Sequence, residues 1–287
     1  MIAIIGGTGK IGRETLNAMH LLEPETEIII GSRHRPTDGE ASSYTWKFFD
    51  VNDIESIDAL LDGVSVVINA AGPSSVVSAP IMDATRARGI PLVDVGDSEC
   101  YRKYEAEENS LGEKTNNSLV MSGCGSIPGL IGVLPIILSR DFIQISELEV
   151  NYRIDEEISM SAATDMVRPD TEYEKLLASP YKDREELATR ISKMSKFAIK
   201  DIRPGIHFYV KIQGILRENQ NDGVRVLYAS CGNPAEVSGK ILAATSSAVY
   251  RTSCDYELNG YYRPATFPMI DLLLENINKL GVFESWN

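Results

Sequence analysis

Short apolar runs alternate with amphipathic stretches over the first 125 or so positions. Ile2–Ile5, Glu27–Ile30, Thr45–Phe49, Val64–Asn69, Pro91–Val95 and Ser118–Ser122 are too short for helices and mostly rich in apolar, β-branched residues. Strands that are apolar at successive positions are buried on both faces, as in a parallel sheet covered by its crossover helices. Helices are predicted between them. Lys10–Leu22 places Ile11, Leu16, Met19 and Leu22 broadly on one side; Ile54–Leu61, Ala79–Arg88 (ending at Gly89) and Tyr101–Leu111 follow. The pattern predicts an α/β chain with a doubly wound parallel sheet.

After Leu138 the period changes to two. Leu148, Val150, Tyr152 and Ile154 alternate with Glu149, Asn151, Arg153 and Asp155, and Phe208, Val210, Ile212 and then Val224, Val226, Tyr228 repeat the pattern. That is the signature of half-buried antiparallel strands. Asp222-Gly223 reads as a turn that pairs Lys211–Arg217 with Val224–Ser230 as a hairpin. The polar stretch Pro169–Lys200 is predicted helical and partly exposed. The expected division is a dinucleotide-binding domain over 1–139 and 236–287, interrupted by an antiparallel α+β domain over 140–235. A small-residue helix, Ser238–Tyr250, and a last helix near Met269–Leu280 return the chain to the first domain.

Composition narrows the function classes. The 287 residues carry 28 Lys+Arg against 41 Asp+Glu, a net charge of −13, which opposes non-specific binding to nucleic acid or anionic lipid. No apolar run approaches the ~18–20 residues of a membrane span. Met1-Ile2-Ala3-Ile4-Ile5 lacks a basic leader segment, so no secretory signal is expected. Cys100, Cys124, Cys231 and Cys254 show no paired spacing, and a chain of this length needs no disulfides; reduced thiols and a cytoplasmic setting are expected. Histidine occurs only at 20, 34 and 207, so no metal site is predicted.

The most specific motif is Gly6-Gly7-Thr8-Gly9-Lys10-Ile11-Gly12, directly after the first strand and opening the first helix. Glycines there permit the sharp turn, the close approach of backbone to a pyrophosphate and tight helix–strand packing. The helix start offers N–H groups and a positive dipole end worth ~0.3–2 kcal/mol to an anion. A dinucleotide site that takes NAD carries an acidic residue about twenty positions on. Here Gly31-Ser32-Arg33-His34-Arg35 has none. Ser32, Arg33 and Arg35 are instead candidates for a 2′-phosphate, and charge-assisted bonds of ~1.5–3 kcal/mol each favour NADP(H). Ala70, Ala71, Gly72 and Pro73, after the fourth strand, let backbone lie against ribose and nicotinamide. Asp50 and Val51 border the adenine, or Asp50 caps the helix beginning near Asp53.

Candidate chemistry gathers after the fifth and sixth strands. Asp94, Asp97 and Glu99 cluster at the ligand-binding edge of the sheet. Asp97 or Glu99 is expected to face substrate, with Tyr101 as proton donor or hydrogen-bond partner; the competing reading is that these carboxylates cap the following helix. Cys124, between Gly123 and Gly125, either donates a proton near a helix start or is a buried inert thiol. His207 is a candidate acid in the second domain, against a structural role. Arg153, Arg168 and Arg263 are alternative clamps for a substrate carboxylate. No tyrosine has lysine four positions later, which excludes the Tyr-x-x-x-Lys chemistry of short-chain dehydrogenases.

GGTGKIG at 6–12, GSR at 31–33, NAAGP at 69–73, PLVDVGD at 91–97, SGCGSIPGL at 122–130 and GYYRPATFP at 260–268 resemble the saccharopine dehydrogenase/reductase-like superfamily. The resemblance covers the first domain and the C-terminal return; the middle domain matches in layout only. It implies a Rossmann dinucleotide-binding domain interrupted by a mixed α/β domain, often dimeric. It also implies NADPH-linked reduction of imines or dehydrogenation of amino acids, with C=C reduction among distant relatives. The expected function is NADPH-dependent reduction of a C=N bond in an amino-acid-derived substrate. Reduction of C=C or C=O, or NADP(H) sensing without turnover, are the alternatives.

Overall fold

A computed structural model describes residues 1–36, 44–111, 118–155, 205–253 and 258–286. The strands β1 (Ile2–Ile5), β2 (Ile28–Ser32), β3 (Thr45–Phe48), β4 (Val66–Asn69), β5 (Leu92–Asp94) and β6 (Leu119–Met121) alternate with helices. The helices are α1 (Lys10–Leu22), α2 (Ile54–Leu61), α3 (Ser74–Ala87) and α4 (Glu99–Leu111). After α5 (Ile131–Ser139) come β7 (Phe142–Ile154), β8 (Ile206–Leu216), β9 (Asp222–Cys231) and α6 (Pro234–Thr252). The chain closes with β10 (Gly260–Tyr262), α7 (Ile270–Lys279) and β11 (Phe283–Trp286).

Seven strands form one parallel sheet in the order β10-β6-β5-β4-β1-β2-β3. The order reverses beside β1, which opens a crevice at the carboxyl ends of β1 and β4. Successive residues of each central strand enter opposite cores. Ile2, Ile4, Ile28, Ile30, Val66 and Ile68 pack with Leu16 and Met19 of α1 and Ile241, Leu242 and Ala248 of α6. Ala3, Ile5, Ile29, Val67 and Leu92 pack with Ile57, Leu60, Ile81 and Tyr101 of α2, α3 and α4. Two buried faces per strand are why these segments are apolar at every position rather than alternately.

The second sheet is antiparallel, in the order β11-β9-β8-β7. Ile206, Phe208, Val210 and Ile212 of β8 face the core, as the alternation predicts. The outer strand β7 departs from it: Leu148 and Tyr152, opposite Ile212 and Phe208, are exposed. Asp222-Gly223 is not the turn. Both residues pair within the ladder, with Ile215 and Gly214, and the connection is Arg217–Asn221, where Gln220 has φ 59°. Helix α3 begins at Ser74, five residues before the expected start, because Pro73 fixes the preceding backbone at φ −70° as its N-cap. The predicted helical stretch Pro169–Lys200 lies outside the described residues, as do Arg168 and Cys254. Cys100, Cys124 and Cys231 are free thiols. No helix of the described residues is long and apolar enough to cross a membrane, and among them no group of His, Cys, Asp and Glu could hold a metal.

Candidate functional site

The glycine turn is held from three sides. Gly6 has φ +77°, and a Cβ there would meet the Ala71 nitrogen at 2.8 Å, so this position must be glycine for both reasons. A Cβ on Gly7 would strike Ile30 at 2.6 Å, and one on Gly12 would strike the Gly6 carbonyl. At Gly9 the nearest atom to such a Cβ is the Gly6 oxygen at 3.3 Å. Gly9 is the N-cap of α1 and offers no side-chain acceptor. The first-turn N–H groups at Lys10 and Ile11 are therefore available to an outside anion. Beside the turn is a recess lined by Gly7, Thr8, Arg13, Leu16, Ile30, Pro36 and Tyr44. Arg13 and Tyr44 carry no motif and were invisible in the sequence.

Ser32, Arg33 and Arg35 stand at the end of β2, next to this recess. Arg33 and Arg35 are exposed, and the Arg35 guanidinium lies 5.9 Å over the Trp46 ring. The Ser32 hydroxyl is already engaged: it donates to the His34 carbonyl at 2.8 Å and accepts from Trp46 Nε1 at 3.0 Å. Asp50 does not cap α2. Its carboxylate accepts from the backbone and side chain of Asn52, while Asp53 caps the helix by accepting from Glu55 and Ser56. Val51 is half-buried against the second core.

The carboxyl edge beyond β4, β5 and β6 is built around Asp94. One oxygen accepts from Asn69 Nδ2 and from Ser78 Oγ, each at 2.8 Å, and from the Tyr101 hydroxyl. The other accepts from the Gly96 N–H at 2.7 Å. Asn69 in turn accepts from the Ala71 N–H at 3.1 Å. The loops after β4 and β5 are thus tied together through one buried carboxylate. Burial raises its pKa from 3.8 to about 6, against four hydrogen bonds that lower it.

Asp94, Asp97 and Glu99 therefore do not form one cluster. Asp94 is completely buried, and Glu99 is an exposed side chain paired with Lys103 at 3.0 Å. Asp97 alone stands partly open at the edge, its Cβ 3.7 Å from where a Cβ on Gly123 would sit. Tyr101 is completely buried with its hydroxyl on Asp94, and burial together with that carboxylate pushes its pKa well up. Cys124 is completely buried too; its thiol is pushed well up by burial and by Asp94, and its N–H donates to the Asp94 carbonyl. Both side chains serve the framework of the edge rather than its open surface.

At the same edge two residues with no role assigned from the sequence, Tyr261 and Ser122, join the candidates Asp97 and Arg263. Tyr261 of β10 bonds Ser122, just beyond β6, at 2.7 Å, and accepts from Arg263 Nε at 3.2 Å. Ser122 donates to Asp97 at 3.4 Å. The rings of Tyr101 and Tyr104 hold Tyr261, stacked at 6.4 Å and edge-on at 6.2 Å. The remaining candidates, Arg153 and His207, meet in the second sheet. Arg153 directs Nε and Nη2 onto one oxygen of Asp155, each at 2.7 Å. His207 Nε2 lies 3.7 Å from the other, and its Nδ1 bonds Ser230 at 2.9 Å.

Glycine turn, basic strand end and small-residue edge loops define a dinucleotide-binding domain of the doubly wound class. Residues 2–121, less than half of the chain, match the family model of the saccharopine dehydrogenase NADP binding domain. An 88-residue segment is 31% identical to a probable mitochondrial saccharopine dehydrogenase-like oxidoreductase of Arabidopsis thaliana; it covers 30% of this chain and 19% of that protein. Among solved structures, the DAP dehydrogenase of C. glutamicum in complex with DAP aligns over 96% of this chain and 97% of its own, with TM-score 0.57 and 13% identity. A mutant meso-DAP dehydrogenase of Clostridium tetani E88 with DAP aligns over 97% and 98%, at TM-score 0.55 and 14% identity. An engineered D-amino acid dehydrogenase bound to NADP+ aligns over 96% and 98%, at TM-score 0.58 and 13% identity. At these identities the likeness is one of fold.

Proposed function

We propose that the protein is an NADPH-dependent oxidoreductase that reduces the C=N bond of an amino-acid-derived imine, acting in the cytoplasm as a homodimer. The observation that carries this reading is Asp97, a partly open carboxylate set against Gly123 at the carboxyl edge of an NADP-binding sheet. A carboxylate in that place favours the protonated, cationic form of a C=N group, which is the form that accepts hydride. Bound NADPH supplies the hydride. The chain supplies the rest. The first turn of α1 receives the pyrophosphate, Arg33 and Arg35 receive the 2′-phosphate, and the Tyr44 ring and recess border the adenine. Asp94, through Asn69 and Gly96, fixes the loops on which the nicotinamide end rests.

Following NADPH absorbance with imines formed from 2-oxo acids and amines, alongside enones and ketones, tests the reading. Selective oxidation with imines is expected. Selective turnover of enones or ketones would transfer the activity to C=C or C=O bonds. One observation favours a sensor without turnover: Tyr101 and Cys124, two of the proposed proton donors, are completely buried. Tight NADP(H) binding with no oxidation across the panel would establish that reading instead.

A further inference from the structure

We propose that Trp46 is the positioning residue through which the chain selects the 2′-phosphate of NADP(H). Its ring face holds the Arg35 guanidinium ready for the phosphate and its indole N–H commits Ser32 to the turn, a role that rests on the NADP(H) reading for the identity of its ligand.

Ser32 ends β2, and its hydroxyl has one proton, which goes to the His34 carbonyl at 2.8 Å. The oxygen accepts from Trp46 Nε1 at 3.0 Å. A phosphate therefore finds no donor on Ser32 unless the turn opens. The task passes to the arginines. Arg33 and Arg35 are both exposed, and they differ in how they are held. The Arg35 guanidinium lies 5.9 Å over the Trp46 ring, within reach of a cation–π contact; among the described residues no ring lies under Arg33.

The manner of holding decides what a guanidinium can still bind. Arg153, Arg225 and Arg251 each turn N–H donors onto a carboxylate oxygen at 2.6–2.8 Å, which occupies the edge a phosphate needs. Among the described residues Arg35 meets no carboxylate. It rests on an aromatic face instead, so the donors in its plane stay open to a bidentate anion. Stacking also removes side-chain freedom before the ligand arrives, and less ordering is left to oppose binding.

Trp46 is itself fixed. It pairs with Ile30 in the β2–β3 ladder and packs against the core that Ile30 and Leu16 share. Pro36, next to Arg35, and Tyr44, two residues before Trp46, both line the recess beside the glycine turn. The stacked pair thus stands beside that recess, tied to β2 through Ser32.

Calorimetry with adenosine 2′,5′-bisphosphate and 5′-AMP isolates the phosphate, because the two ligands differ only there. Wild type is expected to bind the bisphosphate about tenfold or more tighter, and Arg35→Gln to remove most of that margin. Trp46→Leu should cut the margin about threefold or more with 5′-AMP affinity within about twofold, whereas Trp46→Phe, which keeps a ring face, retains more of it. Made on the Arg35→Gln background, Trp46→Leu changes the margin no further, a non-additivity that a merely structural tryptophan would not produce. Ser32→Ala weakens both ligands alike. A second readout leaves Trp46 intact: in Trp286→Phe protein it is the sole tryptophan, and its emission should change with the bisphosphate and not with 5′-AMP. A Trp46→Leu margin equal to that of wild type, an equal effect of Trp46→Leu in both backgrounds, or an equal change of emission with both ligands overturns the proposal and leaves the NADP(H) reading standing. A wild type with no margin at all removes that reading, and the role of Trp46 with it.

Discussion

Asp94 shows what one buried carboxylate does at the residue scale. It collects three side-chain donors and one backbone donor, so its ionised form is hydrogen-bonded throughout, yet burial still lifts its pKa to about 6. Because the folded value lies above the ordinary 3.8, the folded state holds the proton more tightly than the unfolded chain. Its contribution to stability is greatest below pH 4 and is withdrawn as pH rises through 6, about 3 kcal/mol in all. Denaturant unfolding should therefore show wild type losing stability relative to Asp94→Asn mainly between 3.8 and about 6 on the pH scale, with little further change above. Tyr101→Phe removes a donor that lowers the pKa, so the Asp94 carboxyl carbon should titrate above 6 by NMR, with a loss of about 1–3 kcal/mol in stability. At the other end of the cofactor, Arg33→Asp should weaken NADPH binding about tenfold to a hundredfold and narrow its margin over NADH. Equal affinities before and after would remove Arg33 from the site. The glycine turn was legible because its geometry is local in sequence. The fates of Asp94, Asp97 and Glu99 were not, since burial separates three neighbours that look alike in the chain.

Among the elements, legibility followed burial on two faces. β1, α1 and α2 have the bounds their patterns predict, because uniform apolar runs and helical spacing each admit one solution. Three-residue β10 carries too few positions for any period, although it brings Tyr261 to Ser122 across 139 positions. Strand β8 buries the face its period predicts, whereas β7 exposes Leu148 and Tyr152 and β9 turns Val224, Val226 and Tyr228 outward and buries Leu227 and Ala229; the turn was misplaced because Gly214 and Gly223 lie opposite each other inside the ladder. The packing of α6 on α1 depends on another glycine. A Cβ on Gly239 would meet the Glu14 side chain and, at 2.9 Å, the Ile11 carbonyl and Thr15 nitrogen. Gly239→Val should force the helices apart, costing about 1–3 kcal/mol and lowering Tm in calorimetry, while also loosening NADP(H). The second effect follows because Ile11 belongs to the first turn of α1.

For the whole molecule, β9 carries an exposed apolar stripe of Val224, Val226 and Tyr228 on a sheet face to which β8 and β7 add Lys211, Gln213, Glu147 and Glu149. That face is where the proposed homodimer would close, burying two like sheets against each other. Val226→Lys combined with Tyr228→Lys should yield a monomer in sedimentation velocity while the NADP-binding domain stays folded; an unchanged dimer would place the contact elsewhere.

The path of the chain also bears on biosynthesis. Strands β1 to β6 emerge from a ribosome long before α6, which packs against α1 over the same sheet, and before β10, which completes the edge. A nascent protein therefore presents Ile2, Ile4, Val66 and Ile68 with half their cover missing until translation passes Thr252. The glycine turn after β1 is made first and β10 last, so the carboxyl edge of the sheet is completed only when both ends of the described fold are in place.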